Sequence, residues 1–158
     1  MRDPAWSPAP GPAGPGRRAV GEDGLFVYGT LQFPELLAAL LGRVPERRPA
    51  GARGWRAAVL PGRAYPGLVP GEATVHGFLL TGLTMEEWRA LDTFEGPAYE
   101  RTRITLIDGR AAWSYVWIAT AEAGAGEWSP QEFAARHLPA YVQRCAAWRR
   151  SSADHAEP

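Results

Sequence analysis

The sequence predicts an α+β domain, with a small, mixed, largely antiparallel sheet and a few packed helices. Three observations carry this. Strand-like runs outnumber helical ones. Asp108-Gly109 sits between two such runs, residues 99–107 and 111–118, as a strong hairpin turn. The order of segments is strand, helix, strand, strand, helix, hairpin, helix, which lacks the regular alternation of a doubly wound parallel sheet. A chain of 158 residues that is 46% hydrophobic can build one domain with a real core.

Residues 1–22 are dominated by Pro, Ala and Gly and are expected to form a disordered tail, with Trp6 as the exception in composition. The folded domain is expected over residues 23–150. Residues 25–28 read as its first strand. Pro34 suits the first turn of a helix that runs through Leu41 and stops at Gly42. Pro45, Pro49 and several arginines then mark a loop, and residues 54–60 read as the second strand. Residues 63–71 are punctuated by Pro and Gly and read as irregular. Residues 73–80 are the third strand. Thr84 and Glu87 make a capping box for a short helix that ends near residues 92–97. The hairpin follows. Ser129 caps the last helix, with Pro130 at its first position; Pro139 breaks or kinks it, and it continues to about Arg149. Residues 151–158 should fray.

Charge and composition narrow the function classes. Seventeen basic residues balance seventeen acidic ones, so no electrostatic footprint for nucleic acid or an anionic membrane follows. The one cysteine, Cys145, excludes an internal disulfide. No apolar run is long enough to span a bilayer and no signal core opens the chain, so a soluble, cytoplasmic protein is expected, as monomer or homodimer.

The usual nucleophile and metal kits are missing. Cys145 lies in an amphipathic helix without an acidic or histidine neighbour in sequence and reads as a small core residue. His76, His137 and His155 do not form a ligand spacing, and no metal or cofactor is expected. Gly-Thr-Leu after a strand is too short for a Walker loop or a dinucleotide fingerprint. Two stretches remain. In Tyr28-Gly29-Thr30-Leu31, Gly29 permits close backbone approach or a positive φ. Consecutive N–H groups there can make an anion-binding concavity beside the Thr30 hydroxyl and the Tyr28 ring. In the second stretch, residues 91–101, Glu95 follows Phe94 and precedes Gly96-Pro97, where a helix turns into a strand. A glutamate pointed inward at such a turn is desolvated, its pKa rises, and it becomes suited to general-base work near neutral pH. Each stretch also has a plainer reading, as a tight turn and as a solvated loop glutamate.

Together, Phe26-Val27-Tyr28-Gly29-Thr30-Leu31, Tyr65-Pro66-Gly67, Gly77-Phe78-Leu79-Leu80, Leu91-Asp92-Thr93-Phe94-Glu95-Gly96 and Tyr99-Glu100-Arg101 resemble, in order and spacing, the gamma-glutamylcyclotransferase superfamily. The resemblance spans about residues 25–120. It is nearest to the single-domain branch of gamma-glutamylamine cyclotransferases and plant avirulence-induced-gene-2-like proteins. It implies a β-barrel-like fold with the substrate in a cavity at the barrel mouth. The substrate-binding loop falls on Tyr28, Gly29, Thr30 and Leu31, the catalytic glutamate on Glu95, and a nearby aromatic position on Tyr99. The implied partner is a small gamma-glutamyl substrate, cyclised to 5-oxoproline without a cofactor. Residues 43–72 are the segment expected to set the leaving group. A non-catalytic binding module, or an enzyme removing a gamma-glutamyl protecting group in a natural-product pathway, are the alternatives.

Overall fold

A computed structural model of the chain describes residues 23–156. The expected tail over 1–22, Trp6 with it, lies outside the described residues, as do residues 157–158. Five strands form one sheet: β1 (Leu25–Val27), β2 (Glu46–Val59), β3 (Pro66–Thr81), β4 (Tyr99–Thr105) and β5 (Ala111–Trp117). Four α-helices follow the chain as α1 (Pro34–Leu41), α2 (Met85–Glu95), α3 (Pro130–Arg136) and α4 (Leu138–Ala156). Among the described residues, no helix is long and apolar enough to cross a membrane.

The spatial order of the strands is β2-β3-β1-β5-β4, largely antiparallel, with β1 and β5 parallel. β1 is only three residues long, so β3 outruns it and pairs directly with β5 at Leu68 and Val116. The sheet curls as a result. At the far side, the Ile107 N–H donates to the Gly51 carbonyl over 2.9 Å and ties the β4–β5 hairpin to β2. This is the barrel-like architecture that the resemblance implied.

β1 shows why its sequence is continuously apolar. Leu25 and Val27 pack with the helices in one cluster, while Phe26 and Tyr28 belong to a second cluster with Leu68, Leu79 and Ile104. A strand buried on both faces loses the polar alternation of a surface strand. The hydrophobic face of α1, through Leu36, Leu37 and Leu40, joins the first cluster.

Two expectations are corrected. The loop expected around Pro45 and Pro49 is largely strand, because β2 begins at Glu46 and runs through Pro49. β2 lies at the edge of the sheet order, where a missing N–H is tolerated. Residues 66–71, read as irregular, are the first part of β3. Pro66 occupies the first strand position, where proline costs no ladder bond, and the pairing with β2 absorbs the rest through a bulge between Arg53 and Trp55. The last helix breaks at His137, before Pro139, and α4 then continues past Arg149 to Ala156. The Thr84–Glu87 capping box, the turn at Gly109 and the Ser129 cap occur as the residues predict.

Candidate active site

The site grows from two chain reversals that meet. The first is the end of β1. After Val27 the chain passes through Tyr28 and Gly29 into a 3₁₀ turn at Thr30–Gln32. The Gln32 N–H donates to the Gly29 carbonyl at 3.1 Å, and the Gln32 side-chain amide donates to the Tyr28 carbonyl at 2.8 Å, closing the loop on itself. Gly29 has φ −120°, so close approach is its requirement and not a positive φ. A Cβ placed there would lie 2.8 Å from Cγ of Pro66. The first N–H groups of a helical turn have no acceptor within it. Tyr28, Thr30 and Leu31 are themselves buried.

The second reversal is the end of α2. Glu95 is the last helical residue, and Gly96 follows with φ +78° and ψ −175°, a conformation open essentially to glycine alone. The sharp stop turns the chain back toward Tyr99 and β4. It leaves Glu95 against the cavity, near the negative end of the helix dipole.

Between the two reversals lies a cavity of about 230 Å³, walled by the 28–31 loop, Tyr65, Pro66, Phe94, Glu95 and Tyr99, with further residues from β5 and α4. Its size suits a small metabolite rather than a polymer. Every predicted site residue lines it: Tyr28, Gly29, Thr30, Leu31, Glu95 and Tyr99. All five tyrosines of the chain do so as well. Of residues 43–72, expected to shape the leaving-group side, the cavity takes Tyr65 and Pro66.

Hydrogen bonds fix these walls. The Tyr28 hydroxyl donates to the Tyr115 carbonyl at 2.6 Å. The Tyr115 hydroxyl donates to Oδ1 of Asp92 at 2.6 Å. Oδ2 of Asp92 lies 3.6 Å from Nη1 of Arg101, and both side chains are buried. The Arg101 guanidinium stacks 4.5 Å above the Trp88 ring, which lends a buried cation a further favourable contact. Tyr99 donates its hydroxyl to the Pro66 carbonyl at 2.7 Å, and its ring meets Trp117 edge to face. Tyr99 therefore holds Pro66 in the position that a Cβ at residue 29 would meet.

The electrostatics follow from burial. Glu95 is half-buried, open to the cavity on one side and enclosed by protein on the others. Desolvation, with the Asp92 carboxylate adding to it, raises its pKa from 4.5 to about 8. Burial also holds the hydroxyls of Tyr28, Tyr99 and Tyr115 well above 10, so these rings stay neutral. Cys145 is buried behind the site and its thiol is pushed up to about 11, which denies it a nucleophile's thiolate.

Sequence reasoning did not find Tyr115, Tyr141, Arg144 or the Asp92–Arg101 pair. Tyr141 and Arg144 come from α4, which packs along α1 and touches α2 through Trp148 and Phe94. Their spacing of three puts them on one helix face. That periodic pair was the available signal, but it does not say what the face covers.

A family model described as gamma-glutamyl cyclotransferase, AIG2-like, matches residues 25–132. That span holds Glu95 and the 28–31 loop, and it ends before Tyr141 and Arg144. AIG2-like protein A of Arabidopsis thaliana is 35% identical over 126 residues, covering 75% of this chain and 76% of that protein. AIG2-like protein C of the same plant is 36% identical, covering 69% and 67%. Among solved structures, a solution structure of an Arabidopsis thaliana protein is 32% identical with a TM-score of 0.58, covering 85% of this chain and 93% of the other. An uncharacterized protein from Pyrococcus horikoshii, 18% identical with a TM-score of 0.52 over 72% of this chain and 97% of the other, shares the fold.

Proposed function

Because the chain belongs to the gamma-glutamyl cyclotransferase, AIG2-like family, we propose that it converts a gamma-glutamyl amide to 5-oxoproline and a free amine. Glu95 acts as the general base and then the general acid. The observation that carries this reading is the Glu95 carboxyl on the cavity wall, with its pKa raised to about 8.

Such a substrate brings its own nucleophile. Glu95 as carboxylate takes a proton from the α-ammonium. The freed α-amine attacks the γ-carbonyl, forming the lactam C–N bond. The proton held by Glu95 passes to the departing nitrogen as the old C–N bond breaks, and the second proton that the attacking nitrogen sheds on becoming a lactam follows it, so the amine leaves as an ammonium ion. Atoms and charge balance without an enzyme nucleophile. A proton acceptor near pH 8 suits this exchange, since it can take a proton and give it back at neutral pH.

The remaining walls supply orientation. Intramolecular attack needs the glutamyl chain folded so that amine and carbonyl meet, and a rigid cavity of aromatic rings favours that conformer. The N–H groups of the 28–31 loop and the Thr30 hydroxyl receive the α-carboxylate or the developing oxyanion. Neutral tyrosines bring no charge to compete with Glu95.

Reaction in ¹⁸O-water tests the proposal. Cyclisation yields 5-oxoproline with no solvent oxygen. Formation of labelled glutamate would mean hydrolysis and would overturn the lactam-forming reading.

A further inference from the structure

The cavity walls carry two charged side chains of opposite sign, Glu95 and Arg144. Glu95 has a part in the proposed chemistry; Arg144 has none. We infer that Arg144 receives a carboxylate on the leaving group, so that the substrates are gamma-glutamyl amino acids or peptides and not simple gamma-glutamyl alkylamines. The inference rests on the cyclotransferase reading above.

Placement argues for it. The 28–31 loop forms a closed, buried wall, whereas Arg144 is exposed. The glutamyl unit carries both reacting atoms and must lie against Glu95 and the loop. The leaving group must point to the open side, because it departs to solvent while the lactam still occupies the inner part. Arg144 lies on that open side. A gamma-glutamyl amino acid carries its second carboxylate one carbon from the scissile nitrogen, so this carboxylate travels with the leaving group toward the guanidinium.

Preparation of the side chain argues for it too. The Arg144 guanidinium lies 4.4 Å from the centroid of the Tyr141 ring, one turn back on α4. Stacking on an aromatic face restricts a long, mobile side chain, and a guanidinium with five N–H donors that also contacts the Tyr141 side chain keeps others for a carboxylate. Among the described residues, Arg144 forms no ion pair with a carboxylate of the protein. Its charge is therefore available to a ligand. Arg144 also lies beyond residue 132, where the family model stops matching, while Glu95 and the loop lie inside it. The reacting centre and this outer wall are thus separable parts of the chain.

Two substrates isolate the carboxylate. Gamma-glutamyl-alanine and gamma-glutamyl-ethylamide differ only in the leaving group's carboxylate. The wild-type protein should favour the dipeptide in kcat/KM by tenfold to a hundredfold, the range of a charged hydrogen-bonded pair. In Arg144→Gln the ratio should fall toward one, mainly through KM, and Arg144→Lys should restore part of it. An equal loss on both substrates would place Arg144 on the glutamyl unit and overturn the inference, as would an unchanged ratio. A wild-type protein that makes 5-oxoproline from both substrates without preference defeats the inference and leaves the cyclotransferase reading standing. No lactam from any gamma-glutamyl compound defeats both.

Discussion

Replacing Glu95 with glutamine should separate function from stability. A carboxyl whose folded pKa is raised binds its proton more tightly folded than unfolded. Its favourable contribution is complete below the unfolded value and is lost as pH rises through the folded one. For Glu95 the window runs from 4.5 to about 8. At about 1.36 kcal/mol per pH unit, the charged form costs the fold up to ~5 kcal/mol above that window. The side open to the cavity screens part of this charge, which brings the penalty to about 2 kcal/mol. Glutamine keeps the shape and removes the charge. Thermal melts of both proteins should nearly coincide at pH 4.5 and diverge as pH rises. At pH 8.5 the variant should melt higher by roughly 8 °C, taking about 4 °C per kcal/mol for a domain of this size. Lactam formation should fall by about 10² to 10⁴, the usual worth of a general acid–base. A melting difference that does not change with pH would refute the buried-carboxyl argument.

The same pKa sets the pH profile: kcat/KM should rise about tenfold per pH unit below about 8 and then level off. Asp92→Asn should move this limb to lower pH, because Asp92 helps hold the Glu95 proton, while costing about 3 kcal/mol in a denaturant titration for the buried pair it breaks. Gly29→Val should raise KM about tenfold, since the added Cβ meets Pro66 at 2.8 Å; an unchanged KM would make the loop only a turn. Gly96→Ala should lower stability by about 1–3 kcal/mol in the same titration, because its φ of +78° with ψ −175° is closed to alanine, and should lower kcat by displacing Glu95. A chelator should leave the steady-state rate unchanged, since each proposed step uses the substrate's amine and one protein carboxyl.

The parts of the site legible in the sequence are local ones. Gly29 after an apolar strand and Glu95 before Gly96-Pro97 announce chain reversals through short-range chemistry, and both reversals occur. The capping box at Thr84 likewise fixes where α2 starts, as Gly96 fixes where Glu95 ends it. Residues 46–53 and 66–71 misled because Pro, Gly and Arg weaken intrinsic strand preference. Pairing between distant segments supplied what propensity lacked, and the edge position of β2 made Pro49 harmless. Tyr141 and Arg144 stayed hidden for a related reason. An amphipathic helix declares its buried face, but docking across α1 and the cavity mouth is decided by tertiary packing. The Tyr115–Asp92–Arg101 chain joins β5, α2 and β4, and no sequence spacing encodes that meeting.

The most direct test of the central claim is a mass-spectrometric assay for 5-oxoproline. Wild type and Glu95→Gln would be run side by side on gamma-glutamyl amines, gamma-glutamyl dipeptides and glutathione. The account predicts lactam and an equal amount of free amine from the wild type, and near silence from the variant. Equal lactam from both proteins would contradict the role of Glu95, and no lactam from the wild type across the panel would contradict the cyclotransferase itself.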